Sequence, residues 1–346
     1  VYFSFFILPM SNEMKRPVNW VILILLVIGT VWVVSHDGQR PLEATWHTNQ
    51  GRVFGTVYKI TYRHTADIQP LIEARLQEVD NSLSPFNEQS VITHINRNES
   101  MATDSLFRIV WHKAEEVYRL TNGAFDITCA PLVNAWGFGF RNASSVTPEA
   151  IDSLLEFVGM SKVRMVCDTI VKEDARTLFD CSAIAKGFGS DYVAALFDSL
   201  GVTDYMVEIG GEVVTRGNGP KGDGWRIGIS KPNDEDNGIQ TNELDTILTL
   251  TNCGMATSGN YRNFYYKDGK KYAHTVDPRI GVPVQHSVLS ATVIAPTCME
   301  ADALATSFMV MGVDSARTLL STRPDLRAYL ICDTDTGMVS VHIGDF

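Results

Sequence analysis

Apolar and polar residues alternate through "GRVFGTVYKITYRH", residues 51–64, which predicts a half-buried strand after a polar linker at 35–50. The period then changes. "IQPLIEARLQEVDNSLS" repeats its apolar residues at helical spacing until Ser84-Pro85 stops it. Residues 104–120 carry a second amphipathic pattern, closed by Thr121-Asn122-Gly123. "TPEAIDSLLEFVG" predicts a short helix with Thr147 as N-cap and Pro148 in its first turn. Short strands are expected near 163–180 and 205–216, flanking "DCSAIAKGFGSDYV" (180–193) and the helix it opens. "WRIGISKP" and "ILTLTNCGMATSG" read as strands, and "RNFYYKDGKKYAHTV" as a hairpin turning at Asp268-Gly269. "SVLSATVIAP" predicts a strand, "TCMEADALATSFMVMG" a helix, and the last strands surround "RAYLICDTDTGMVSVH". Residues 231–243 read as a solvated loop. Hairpins and blocks of helix, without regular alternation, predict an α+β fold of largely antiparallel sheets packed with helices.

One apolar run breaks this pattern. "VNWVILILLVIGTVWVV", residues 18–34, has no charge and follows Met14-Lys15-Arg16. It predicts a single N-terminal membrane helix, with the N-terminus cytoplasmic and the rest of the chain on the other side. The alternative is a signal peptide cleaved near Val33-Val34-Ser35. Residues 1–13 do not fit this design, which makes them a candidate non-native extension and Met14 a candidate start. Residues 14–40 are then the anchor or signal segment, and 41–346 the folded domain.

Composition narrows the partners. With 45% hydrophobic residues in 346, the chain has ample material for a core. A net charge of -11 argues against nucleic acid, which needs clustered Lys and Arg. Phosphate can still be held locally by helix N-termini and a metal ion. Cys129, Cys167, Cys181, Cys253, Cys298 and Cys332 show no metal-ligand spacing and are expected to be buried small hydrophobes.

Four stretches hold candidate chemistry. Lys186, in the Gly-rich mouth of a helix, is a candidate phosphate contact, although both common phosphate-loop patterns fail; a solvated first-turn lysine would look the same. Asp302 and Thr306 lie four apart on one helix face, a carboxylate and a hydroxyl suited to a hard cation such as Mg²⁺. An acid near a helix N-terminus is the plain alternative. In "YAHTVDPRIGVP", His274 and Asp277 could serve as acid or base beside a phosphate, or only shape a turn. "NGAFDITCAPLVNAWGFG" has aromatics, glycines and Asp126 suited to a flat heterocycle, or to core and turns.

In their order along the chain, "GAFDITCAPLVNAWGFG", "DCSAIAKGFGSDYV", "EIGGEVVTRG", "TSGNYRNFY", "HTVDPRIG" and "EADALATSFMVMG" resemble the successive motifs of the ApbE family, the FAD:protein FMN transferases. The resemblance runs from about Gly51 to the C-terminus. It implies Mg²⁺-dependent transfer of FMN from FAD to a Ser or Thr hydroxyl of a partner protein, with release of AMP. It also implies work at the outer, periplasmic face of the bacterial inner membrane. The implied acceptors carry a motif like Asp-x-x-[Ser/Thr]-Gly-Ala-Thr, as in subunits of Na⁺-pumping NADH:quinone oxidoreductase and Rnf-type complexes.

Carried over by position, the resemblance puts the metal ligands at Ala183 (through its carbonyl), Asp302 and Thr306. It puts FAD contacts at Ala124, Phe125, Asp126, Asp180 and Lys186, and at Thr275 or Val276. Phe54 stands where the family usually has Met, and Phe86 where an aromatic lies against FAD. His274 and Asp277 are the candidate catalytic residues for deprotonating the acceptor hydroxyl. An FAD pyrophosphatase giving FMN and AMP, or a non-catalytic flavin-binding protein, are the competing readings. "DTDTGMV" (333–339) matches the acceptor motif only in part and reads as strand-turn-strand.

Overall fold

The structure, a computed structural model, describes residues 17–37, 43–140, 146–232, 243–260, 264–267 and 270–345. The chain divides into two compact units, Val1–Ala44 and Thr45–Phe346. In the first, α1 (Pro17–Asp37) is a helix whose side chains from Trp20 to Trp32 are all exposed. Among the described residues no helix is long and apolar enough to cross a membrane, so the expected membrane helix is not found in the fold. The extension at 1–13 lies outside the described residues, as do most of the loop at 231–243 and the turn Asp268-Gly269.

The second unit begins with β1 (Thr45–Val53), β2 (Thr56–His64), α2 (Gln69–Leu83), α3 (Val91–Asn96), α4 (Ser105–Leu120), α5 (Ala130–Ala135) and α6 (Pro148–Leu155). It continues through β3 (Val163–Val166), β4 (Thr169–Lys172), α7 (Ala185–Ser199), β5 (Tyr205–Ile209), β6 (Glu212–Arg216), β7 (Trp225–Ser230) and β8 (Leu244–Leu250). Then come β9 (Cys253–Gly259), β10 (Phe264–Lys267), β11 (Lys270–Ala273), β12 (Val276–Asp277), β13 (Val282–Pro283) and β14 (Val288–Ala295). The unit closes with α8 (Cys298–Leu320), β15 (Arg327–Thr334) and β16 (Gly337–Ile343). The fold is α+β, as the mixed pattern predicts.

Eight strands form one sheet in the order β1-β2-β5-β6-β9-β14-β15-β16, each antiparallel to its neighbours. Strand parity assigns its two faces. Ala256 and Val293 join the large core that α4, α7 and α8 build, whereas their neighbours Met255 and Ile294 pack with Ile227 and Leu250 of the β7–β8 ribbon. The sheet is thus covered by helices on one side and by a ribbon on the other. The N-cap expected at Thr147 is in place, accepting from Ala150 N–H at the start of α6, and Asp104 and Thr297 do the same for Phe107 and Glu300 N–H at the starts of α4 and α8.

Three elements depart from the sequence reading. Residues 51–64 are not one strand but most of a hairpin: Phe54 (φ 51°) and Gly55 (φ 73°) turn the chain and pair Val53 with Thr56, so part of the expected linker joins β1. Asn252 (φ 54°) likewise divides the expected strand at 247–259 into β8 and β9. Helix α8 does not end at Gly312, which adopts φ 77° as a kink before the helix runs on to Leu320. Of the cysteines expected to be buried, Cys181, Cys298 and Cys332 are, Cys129 and Cys253 are half-buried, and Cys167 is exposed in the turn between β3 and β4; all six are free thiols.

Candidate active site

The site forms where α7 crosses the start of α8. A Cβ at Gly187 would lie 2.4 Å from Cys298 O and 2.8 Å from Asp302 Cβ, so only glycine lets the two helices approach this closely. The approach lets Gly187 N–H donate to Asp302 Oδ2 at 3.0 Å. Gly187 lies in the first turn of α7, where its N–H has no intrahelical acceptor, and Asp302 supplies one. Ala183, just before the helix, lines the adjoining cavity. Asp191, one turn further along the same face of α7, also holds the start of α8 by accepting from Cys298 and Met299 N–H at 2.9 and 2.8 Å.

The third component comes from the sheet. Gly210 and Gly211, at φ 65° and 105°, make the two-residue turn between β5 and β6, a conformation side-chain-bearing residues rarely adopt. Glu212 directly follows it and is buried. Lys186 Nζ lies 3.4 Å from Glu212 Oε1 and 3.8 Å from Asp302 Oδ1, and donates to Ser182 O at 3.2 Å. Burial alone would lower the Lys186 pKa, but Asp302 and Glu212 outweigh it and hold the ammonium above its ordinary value. Burial raises both carboxylates, with Lys186 opposing the rise.

These residues border a cavity of about 420 Å³. Of the residues expected at the site, Phe86, Ala124, Phe125, Asp126, Asp180, Ala183, Lys186, His274, Thr275, Val276, Asp302 and Thr306 all line it. Thr306 Oγ1 is 2.9 Å from Ser258 Oγ, and His274 packs edge-to-face on Phe138. Asp180 is tied down locally, accepting from Ser182 N–H and Oγ–H. Asp126 accepts from Thr128 N–H and Oγ–H and from Met160 N–H; its burial still raises its pKa. Cys129 also borders the cavity, where burial pushes its thiol up and away from nucleophile chemistry.

Two expected residues lie elsewhere. Phe54 borders a neighbouring, more apolar hollow of about 790 Å³, together with Val79, Leu83 and Pro85. The two hollows share Phe86, Ser182 and Lys186, so the lysine stands where they meet. Asp277 does not line the cavity: its carboxylate binds the Arg279 guanidinium at 2.9 and 2.7 Å, and its carbonyl accepts from Gly281 N–H. It shapes the turn beside His274.

Glu212 carries no role in the sequence reading, which quoted it only within a motif. The available signal was its position: an acid between a glycine pair and the apolar Val213-Val214 is an unusual start for a buried strand.

The donor set fits a hard divalent cation. Asp302 carboxylate, Thr306 hydroxyl and Ala183 carbonyl offer oxygen donors, the kind that Mg²⁺ prefers. Among the described residues no group of three or more His, Cys, Asp or Glu gathers as a metal cage. Mg²⁺ usually takes one or two carboxylates and completes its shell with water and substrate phosphate. Glu212 Oε2 is buried beside this donor set and has no hydrogen-bond partner among the described residues.

The ApbE family profile matches residues 54–330. A protein of Haemophilus influenzae named FAD:protein FMN transferase is 36% identical over 309 residues, covering 84% of this chain and 87% of that one. One of Escherichia coli K12 with the same name is 31% identical, over 89% of this chain and 91% of its own. The solved flavin transferase ApbE from Vibrio cholerae superposes with a TM-score of 0.78 at 33% identity, covering 87% of this chain and 97% of its own. The chain belongs to the ApbE family.

Proposed function

We propose that this protein transfers FMN from FAD to a Ser or Thr hydroxyl of an acceptor protein, in a Mg²⁺-dependent reaction that releases AMP. The observation that carries the reading is Lys186 at the junction of two hollows, each walled by aromatic or aliphatic residues. FAD has that shape, with two ring systems joined through a diphosphate. The names borne by the H. influenzae and E. coli relatives support the same chemistry.

Phe86 and the neighbouring walls hold the ring systems, and Lys186 orients the diphosphate by charge. Ala183 O, Asp302 and Thr306 would hold Mg²⁺, which would neutralise charge on the diphosphate and ease departure of AMP. The acceptor oxygen attacks the FMN phosphorus, the bond to the bridging oxygen breaks, and AMP leaves with that oxygen. His274 takes the proton from the attacking hydroxyl. It lines the cavity, whereas Asp277 is engaged by Arg279.

The exposed apolar side chains from Val21 to Val31 support a further proposal, that the N-terminal segment anchors the chain in the bacterial inner membrane with its catalytic unit outside the cytoplasm. Acceptors would then be proteins bearing an Asp-x-x-[Ser/Thr]-Gly-Ala-Thr-like segment, such as subunits of Na⁺-pumping NADH:quinone oxidoreductase or Rnf-type complexes. Retention of the full chain in carbonate-washed membranes tests the anchor, and its release into the wash refutes it.

The chemistry is tested by incubating the full chain with FAD, Mg²⁺ and a protein carrying an Asp-x-x-Thr-Gly-Ala-Thr segment. Intact mass should show one added FMN, with AMP in equal amount and both products abolished by EDTA. AMP with free FMN and an unmodified acceptor would make the protein a hydrolase instead.

A further inference from the structure

The proposed chemistry leaves Glu212 without a task. Its side chain is 4% exposed, yet it borders the cavity beside Asp302 and Lys186. Oε1 faces the lysine at 3.4 Å, while Oε2 meets no donor among the described residues. A buried carboxylate oxygen without a partner is costly, and a bound ion is one way in which a native fold satisfies it. The position is held tightly: Glu212 O accepts from Ser190 Oγ–H at 3.2 Å, and a Cβ at Gly210 would approach Oε2 to 3.3 Å. Charge points the same way. When both are ionised, Glu212 and Asp302 set two negative charges against the single positive charge of Lys186, an arrangement that their burial disfavours without a further cation. A divalent cation would reverse the excess and leave the corner net positive, as an anionic diphosphate requires.

We propose that Glu212 belongs to the divalent-cation site, its Oε2 joining Asp302 and Thr306 around the ion directly or through one water while Oε1 keeps Lys186. This rests on the Mg²⁺-dependent reading given above. It differs from a role in which Glu212 acts only by holding the lysine, and the two separate in a double-mutant cycle.

Mn²⁺ is titrated into the full chain in the absence of FAD, with free Mn²⁺ followed by electron paramagnetic resonance. The variants are E212Q, D302N, K186M and K186M/E212Q, and the unfolding temperature of each is recorded without metal. The expected result is a saturable site in the wild type that D302N abolishes. E212Q should raise the Kd roughly 10–100-fold, and it should do so equally in the K186M background, where no lysine remains to be positioned. An E212Q effect that vanishes in that background, or is absent throughout, overturns the proposal and leaves Glu212 as the partner of Lys186 alone. If the wild type shows no saturable site, or D302N retains it, the failure lies with the metal reading itself, and this inference falls with it. Should E212Q fold poorly, E212D withdraws the carboxylate by one methylene and is expected to weaken Mn²⁺ in the same two backgrounds; unchanged binding there also overturns the proposal.

Discussion

Gly187 N–H donates to Asp302 Oδ2 at 3.0 Å, joining residues 115 apart in sequence and locking the start of α7 to the first turns of α8. The bond depends on a contact too close for any side chain at 187. Gly187→Ala would gain about 1 kcal/mol of helix propensity, but overpacking typically costs about 1–3 kcal/mol. Relief by shifting Cys298 is opposed, because Asp191 holds its N–H from α7. The expected outcome is modest destabilisation in urea titration with a far larger fall in FMN transfer, since a displacement of about 1 Å at a reacting centre can remove about 10²-fold in rate. A variant with full transfer activity would detach this contact from the site.

Phe86 is 76% exposed, yet it borders both hollows and meets Phe140 edge-to-face. So exposed a ring contributes little to folding, and Phe86→Ala should change stability by no more than about 0.5 kcal/mol. Its stacking surface for a ring system is worth roughly 1–3 kcal/mol. The KM for FAD should therefore rise at least several-fold while kcat stays near the wild-type value. An unchanged KM would place the FAD rings elsewhere.

Cap and period made some elements legible in the sequence and left others hidden. Helix α4 announced itself through its apolar spacing and the Thr121-Asn122-Gly123 stop, α6 through Thr147 and Pro148, and Asp302 with Thr306 stood out as an i,i+4 pair. Strand β1 did not, because it lies at the sheet edge and most of its residues are exposed or half-buried, leaving little hydrophobic signal. Its turn uses Phe54-Gly55 rather than an Asn-Gly or Asp-Gly pair. Helices α3 and α5, six residues each, are too short to carry a period. The grouping of Lys186 with Asp302 and Glu212 is set by the α7–α8 crossing and the β5–β6 turn, and no local pattern encodes it.

Burial raises the Asp191 pKa from 3.8 to about 6, even though two backbone N–H groups favour its charged form. Because the native value lies above the unfolded one, the folded state holds a proton that the unfolded state releases between these pH values. The stability linked to this proton is fully present below pH 3.8 and is lost as pH rises through about 6. A shift of this size corresponds to at most about 3 kcal/mol. Asp191→Asn removes the titration and one of the two acceptors. Urea unfolding of wild type and variant from pH 4 to 7 should show the wild-type advantage shrinking toward neutrality and then levelling. A pH-independent difference would mean that Asp191 does not titrate in this window.

His274 and Asp277 are three residues apart, but the structure gives them different surroundings. His274 borders the cavity against Phe138, while Asp277 is held by Arg279 and carries the turn through its bond from Gly281. Loss of a general base typically lowers the rate by about 10²–10⁴-fold. His274→Ala should therefore reduce kcat by that order with little change in the KM for FAD, and added imidazole should restore part of the rate. Asp277→Asn weakens the Arg279 clamp and should lower the unfolding temperature, with kcat reduced no more than a few-fold. The comparison is made at saturating FAD and acceptor, so that binding does not limit either variant. The reverse pattern, a rate collapse in Asp277→Asn with His274→Ala near wild type, would transfer the proton-accepting role to Asp277 and require Arg279 to release it during turnover.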